Sequence, residues 1–382
     1  MNFDLSEEQQ LLKDSAWRYG ADHGEFTAWR ARVSRGDAFD AASWKRMADL
    51  GWLMLNVPED DGGLGSGPVE TMVVAEAVGR YLMLEPFVST GVIAPALLTG
   101  ATEALRAELM AGLAEGKVVI ALADAEPGGR FDLNHVATRA EAVDGGFRLT
   151  GEKSHALDGA AADWFIIPAR TAGADDSQDG VSLFLVPAET SGLTVRRSRA
   201  MDNRHNASLK LEGVVVPAAN LIGGLGDGFP LLRDALDRGV VARLAEAVGA
   251  MDAVREMTME YLKTRKQFGQ TLGSFQALQH RAVDMAIACE EARSMMYLAT
   301  IALSGSAAER RRVISAAKAR VGQTSLYVGR QSVQLHGGVG FTEELAVAHY
   351  LKRLIMIDMA FGNADHHRAE LAASLRVSAA AA

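Results

Sequence analysis

The chain has 382 residues, 48% of them hydrophobic, with 39 basic and 48 acidic side chains and a net charge of −9. That length and apolar fraction predict two or three structural units with large cores, while the acidic balance argues against a general nucleic-acid surface. The single cysteine, Cys289, excludes an intrachain disulfide. No apolar run is long enough to span a bilayer. The start, Met1–Glu8, is acidic and lacks the basic and apolar regions of a signal peptide, so the expectation is a soluble cytoplasmic protein that does not enter a membrane.

Residues 1–117 read mostly as helix. Ser6 followed by Gln9 has the spacing of a capping box. Helical patterns recur over Ala41–Leu50, Val69–Tyr81 and Thr102–Leu113, and Pro58–Gly65 has turn chemistry. The pattern changes near Lys117. Over 118–222 short β-rich runs follow, at Val118–Leu122, Gly146–Leu149, Trp164–Pro168, Val181–Pro187, Leu193–Arg197 and Ala207–Val216. Their spacing predicts a barrel or sandwich, with Asp175–Gly180 as an exposed hairpin turn.

The third segment, 223–382, is helical again, in about four long stretches. Phe275, Leu278, Ala282, Met285, Cys289, Ala292, Met296, Ala299 and Leu303 recur in alternating steps of three and four. Such a narrow stripe faces a neighbouring helix, and a bundle of about four helices follows. The Ala379–Ala382 tail is expected to fray.

Two motifs carry the most information. Arg265-Lys266-Gln267-Phe268-Gly269-Gln270 ends one helical pattern, and Gln334-Leu335-His336-Gly337-Gly338-Val339-Gly340 ends another. A guanidinium can make two charge-assisted bonds to a pyrophosphate, Phe268 can cover an apolar part of a ligand, and Gly269 permits close backbone approach. Taken alone, Gln334–Gly340 also fits a helix C-cap followed by a turn, and Arg265 a solvated charge.

Together these motifs resemble the acyl-CoA dehydrogenase family. The resemblance extends over nearly the whole chain, through Phe3-x-Leu5-Ser6-Glu7-Glu8-Gln9, Pro58–Gly65, Glu126-Pro127-Gly128, Gly151-Glu152-Lys153 and Gly224–Phe229. It implies an α+β fold: an N-terminal helical domain, a middle β-domain and a C-terminal four-helix bundle. It also implies that Arg265, Phe268, Gln276, Gln334, Gly337, Gly338 and Gly340 contact flavin adenine dinucleotide (FAD), several of them in an adjacent subunit. The implied reaction is α,β-dehydrogenation of an acyl-CoA thioester. A carboxylate removes the α-proton and the flavin takes hydride from the β-carbon.

The family's base is a Glu at one of two places. Here the C-terminal place reads Met359-Ala360-Phe361-Gly362-Asn363, which puts Phe361 at the Glu position. Counting back from Arg265 puts Gly239 at the other, and the neighbouring arginine falls on Val240. Replacement candidates are Glu246 and Asp358, with Asp237 and Asp365 also nearby. The plainer readings make Glu246 a polar bundle residue and Asp358 a partner for Lys352 or Arg353. The β-domain departs too: Ala125 stands where Thr is frequent, and His155 and Leu157 where Trp and Thr are frequent.

The leading expectation is therefore a subunit of a heteromeric acyl-CoA dehydrogenase, resembling the small subunits of bacterial pimeloyl-CoA-type enzymes, with relatives acting on steroid side-chain CoA esters. A paralogous partner supplies the Glu, and an electron-transferring flavoprotein accepts electrons by resemblance. The alternatives are a self-sufficient homo-oligomer with a displaced carboxylate and a non-catalytic assembly subunit. His366-His367 lacks the i,i+4 spacing of a helical metal site, so no metal is expected, and Arg310-Arg311-Arg312 reads as an exposed helix face.

Overall fold

The computed structural model describes residues 4–380. The expectations that fall on Phe3, Ala381 and Ala382 lie outside these residues, whereas Ala379 and Ala380, expected to fray, continue the last helix. In chain order the helices of the first third are α1 (Glu7–His23), α2 (Phe26–Arg35), α3 (Ala41–Asp49), α4 (Pro68–Arg80), α5 (Ala94–Leu98) and α6 (Glu103–Ala114). Strands β1 (Ile120–Leu122), β2 (Arg139–Val143), β3 (Gly146–Ala156), β4 (Trp164–Arg170), β5 (Val181–Pro187), β6 (Leu193–Arg199), β7 (His205–Pro217) and β8 (Leu221–Ile222) follow. The remainder is α7 (Gly228–Thr264), a hairpin of β9 (Lys266–Gln267) and β10 (Gln270–Thr271), α8 (Gln276–Ala302), α9 (Ala307–His336), α10 (Ala346–Met359) and α11 (Ala364–Ala380). No helix among the described residues is long and apolar enough to cross a membrane.

Two compact units emerge. One comprises Met1–Ala31, Pro68–Met83 and Val240–Ala382, the other Arg32–Gly67 and Leu84–Gly239. The first is helical. At its start the Ser6 hydroxyl accepts from the Gln9 N–H while the Gln9 side chain accepts from the Ser6 N–H, so two orphan donors of α1 are satisfied reciprocally. Helices α4 and α7 touch backbone to backbone. A Cβ on Gly79 would stand 1.8 Å from the Glu246 carbonyl oxygen, and one on Gly249 would stand 1.9 Å from that of Glu76. Along α8, Met285, Cys289, Ala292, Met296 and Ala299 are buried, as their three–four spacing requires. The last expected helical stretch is divided into α10 and α11 at Phe361-Gly362, whose φ angles of +57° and +100° turn the chain out of the helix.

The second unit is built on one eight-stranded sheet in the order β6-β7-β3-β2-β4-β5-β8, with β1 also pairing to β4. Its core is apolar, including Leu149, Phe165, Ile167, Phe184, Val186, Leu209, Leu211, Val214 and Val216. Strand β2 has no counterpart among the sequence-based runs because its only buried side chain is Ala140, and Arg139 and Glu141 hide the alternation. Strand β3 runs seven residues past Leu149, the end of the expected run, through Gly151, Glu152 and Lys153. This polar stretch is held in the sheet by an internal charge pair. Lys153 Nζ lies 2.5 Å from Glu126 Oε1 and 2.6 Å from the Pro168 carbonyl, with both side chains essentially fully buried. The Asp175–Gly180 turn is organised from beneath by the buried Arg170, which donates to the carbonyls of Asp175, Ser177 and Asp179 at 3.0 Å each. Phe87–Ile93 forms a wholly buried π-helical segment, anchored by Asn56 Nδ2 to the Gly91 carbonyl at 3.0 Å and by Thr90 Oγ1 to the Ile120 carbonyl at 2.9 Å.

Candidate functional site

The residues singled out for cofactor contact lie at helix ends in the helical unit. Arg265 follows α7 directly, its N–H donating to the Tyr261 carbonyl at 2.8 Å and its carbonyl accepting from Leu272 N at 2.8 Å. That second bond closes the hairpin whose two-residue turn is Phe268-Gly269, with φ +54° and +81°. Positive φ at both positions matches the twist of a tight hairpin, but it costs a bulky residue about 1–2 kcal/mol. Phe268 nevertheless stands 91% exposed, touching only the edge of Phe275 at 6.3 Å between ring centroids among the ring contacts described. Gln276, next after Phe275, opens α8 with its side chain exposed.

The second motif closes α9. Gln334 is exposed in the last turn, and Gly337, at φ +66°, leads the chain into the turn Gly337–Phe341. A Cβ on Gly337 or Gly338 would meet nothing within 4 Å, whereas one on Gly340 would stand 2.7 Å from the Val333 carbonyl oxygen. The first two glycines thus leave backbone open to a ligand, and the third folds the turn back onto α9. The two motifs are joined by a contact with no sequence signal of its own: the rings of Tyr261 and His336 stack at 4.4 Å with 25° between planes.

The expected base positions hold no carboxylate. Phe361 is half-buried in the α10–α11 joint, and Gly239 is buried in α7. The replacements are engaged elsewhere. Glu246 is fully buried, with Arg353 Nη1 at 2.7 Å from one carboxylate oxygen and Arg243 Nη1 bonded to the other. Asp358 does not partner Lys352 or Arg353, as the sequence suggested. Lys352 pairs with Glu343 at 2.8 Å and Arg353 with Glu246, while Asp358 Oδ1 accepts from the Ala364 N–H at 3.1 Å at the start of α11. Beside it the buried Lys318 donates to the carbonyls of Ile357 at 2.9 Å and Asp358 at 2.6 Å. Burial, with some repulsion from Arg243, outweighs the attraction of Asp358 and lowers the Lys318 ammonium to a pKa of about 7. His367 Nε2 lies 3.0 Å from the Phe361 carbonyl, and burial followed by the Lys318 charge lowers that imidazole to about 3. Asp365 is exposed and pairs with Arg368. His366 and His367 both reach toward Glu370, at 3.6 Å and 3.7 Å. Of the arginine run, Arg311 is no plain exposed charge but donates to Glu370 at 2.7 Å.

In the sheet unit, Ala125 and His155 face each other across an isolated antiparallel bridge, His155 exposed and Leu157 half-buried. Next to Leu157 the buried Asp158 takes φ +59°. It is fixed by Arg204 at 3.1 Å, Ser89 Oγ at 2.8 Å and, through its own N–H, Asn206 Oδ1 at 3.0 Å. Glu126 also accepts from Ala137 N at 2.6 Å. Burial works to raise its pKa, but Lys153 and these donors hold it below the ordinary value. Glu85, which sequence reasoning missed, lines a small hollow with Arg32, Arg35, Phe39 and Asp40. Burial raises its carboxyl, against the opposing pull of Arg32 and Arg204. One acid in the apolar run Leu82–Phe87 was the available signal.

Comparison with known proteins decides the lineage. The N-terminal, middle and C-terminal domain models of acyl-CoA dehydrogenases match residues 6–117, 121–214 and 226–376. The probable acyl-CoA dehydrogenase YngJ of Bacillus subtilis is 30% identical over 98% of this chain and 100% of its own length. The chain belongs to the acyl-CoA dehydrogenase family. Among solved structures, the Tcur3481-Tcur3483 steroid acyl-CoA dehydrogenase superposes with a TM-score of 0.88 at 27% identity, covering 98% of this chain and 99% of that one. The FAD complex of PigA gives the same TM-score at 26% identity, covering 99% and 100%. In this acyl-CoA dehydrogenase fold the helical N- and C-terminal parts flank a middle sheet in sequence.

Proposed function

We propose that this chain is one subunit of a two-subunit, FAD-dependent acyl-CoA dehydrogenase, and that a paralogous subunit supplies the catalytic Glu. The observation that carries this reading is the state of the carboxylates. By resemblance Phe361 and Gly239 fall at the two usual base positions, while Glu246 is clamped by two guanidiniums and Asp358 caps α11. A general base must be free to take a proton within hydrogen-bond reach of substrate, and neither engaged carboxylate meets that requirement.

The other half of the reading is what the chain offers. The exposed Arg265 guanidinium can bind a pyrophosphate through paired N–H donors. The open backbone at Gly337-Gly338 can accept close approach of a nucleotide, and Phe268 presents an apolar face away from its own core. This donor set fits the nucleotide half of FAD, with Gln276 and Gln334 as further amide donors. The ring-facing half fits less well, because Ala125 and Leu157 carry no side-chain hydrogen-bond donor. When bound, the flavin would supply the hydride acceptor. The structural neighbour named for two chains and for a steroid acyl-CoA dehydrogenase supports a paired assembly. Domain limits of 1–117, 118–222 and 223–382, a cytoplasmic location and an electron-transferring flavoprotein as acceptor belong to the same proposal.

Affinity purification of the tagged chain from its own host tests it: a paralogous chain carrying a Glu at one of the two base positions should co-purify with FAD. Recovery of the chain alone, fully loaded with flavin and active on acyl-CoA, would overturn it.

A second reading, a self-sufficient enzyme with a displaced base, is favoured by Glu85. Its raised pKa and its place beside a hollow are properties a base can use. In that case Glu85→Gln would abolish turnover by the isolated chain.

A further inference from the structure

We propose that Tyr261 and His336 act as a positioning pair, locking the Arg265 hairpin and the Gly337–Gly340 turn into one preformed surface for a single nucleotide. The inference rests on the reading that these two segments take FAD, and it adds the device that holds them in register.

Tyr261 lies one helical turn before Arg265 and is tied to it by the Arg265 N–H to Tyr261 carbonyl bond. Any shift of the Tyr261 backbone is therefore passed to Arg265. On the other side, His336 is the last residue of α9 and is buried. Its Nδ1 lies 2.8 Å from the Ser332 carbonyl oxygen. A carbonyl only accepts, so Nδ1 carries the proton and the ring is fixed in that tautomer. Burial lowers the pKa of His336. Its ring is thus held on its own helix and offers a flat, fixed face.

Tyr261 lies against that face at 4.4 Å and 25°. Its hydroxyl reaches the His336 carbonyl oxygen at 3.4 Å, long for an O–H···O bond, so ring stacking is the stronger part of the contact. The turn that follows depends on His336 in turn. Gly337 leaves the helix at positive φ, and the turn comes back so closely that a Cβ on Gly340 would stand 3.0 Å from His336 Cβ. The turn thus packs directly on the last residues of α9, Val333 and His336, and the stack ties that end of α9 to Tyr261. A ligand gripped by two segments gains affinity when their separation is set before binding, because no ordering has to occur on binding. The role inferred for the two rings is to hold the segments in register, through the contact they make with each other.

The test uses the tagged chain purified from its own host, with whatever subunit accompanies it. Flavin is stripped, and FAD is added back well below the melting temperature. Wild type, Tyr261→Phe, Tyr261→Leu, His336→Leu and Arg265→Ala are compared for FAD affinity and for flavin-free Tm. The pair predicts that Tyr261→Phe, which keeps the ring, binds FAD within about twofold of wild type, while Tyr261→Leu weakens FAD by about tenfold or more. His336→Leu should weaken it likewise, so one of the two can fail to fold without loss of the test. If the Leu variants bind FAD as wild type does while Arg265→Ala weakens it, the positioning role is wrong and the flavin surface stands. If Arg265→Ala leaves FAD affinity unchanged, the flavin surface itself is wrong and this inference falls with it.

Discussion

Arg353 donates to Glu246 across 2.7 Å with 1% and 0% of their side chains exposed, and the same guanidinium nitrogen reaches the Met83 carbonyl at 3.1 Å. The bond ties α10 to α7 inside the helical unit. Arg243 completes the clamp from one turn away on α7. Removing one partner of a buried pair leaves an uncompensated charge, at a cost of about 3–5 kcal/mol. Glu246→Gln should therefore lower stability by about that amount in denaturant melts. Any protein that stays folded should keep its contribution to turnover. A variant of wild-type stability that had lost turnover would make Glu246 the missing base.

Lys318 predicts a pH signature. Its folded pKa of about 7 lies below the ordinary value of 10.5, so between these limits the unfolded chain binds more protons than the folded one. Stability should then rise with pH from about 7 to about 10 and lose this dependence below 7. Lys318→Met should flatten the Tm profile across that window by one proton's worth of slope. An unchanged slope would show that Lys318 stays charged through its bonds to Ile357 and Asp358.

Gly79→Ala and Gly249→Ala each push a methyl group into the backbone of the facing helix, at 1.8 Å and 1.9 Å. Since backbone cannot yield as a side-chain tip can, each should cost about 1–3 kcal/mol or more, read as a fall in Tm with chain association unchanged.

Lys153→Met strands the Glu126 carboxylate in the sheet. Glu126 has a lowered folded pKa, so the stabilisation it provides is present above the ordinary value of 4.5 and is lost as pH falls through the folded value. The variant should be destabilised by about 3–5 kcal/mol at pH 7 and by clearly less near pH 4, where the stranded carboxyl can protonate. Melts at the two pH values separate this from a packing defect, which would be pH-independent.

How much was legible in the sequence follows from which signals are local. Ser6 and Gln9 announced α1 because a capping box is written within four residues, and the Met285–Ala299 seam announced its own burial through its period. Arg265, Phe268 and Gly337 stood out as candidates because their motifs are contiguous. Strand β2 escaped because its partners, not its own side chains, make it a strand. The Tyr261–His336 stack joins residues 75 apart, and Glu85 is a single acid in an apolar run, so neither has a periodic signature. The assignment of Asp358 to Lys352 or Arg353 failed for the same reason: helical spacing allowed it, but Glu246, more than 100 residues earlier, holds Arg353.

The most direct measurement is acyl-CoA turnover by the chain purified alone, with and without an added paralogous subunit that carries a catalytic Glu. A shared site predicts background turnover alone, activity on mixing, and loss of that activity when this chain carries Arg265→Ala before the partner is added. Turnover by the isolated chain at the rate of the mixture would contradict it.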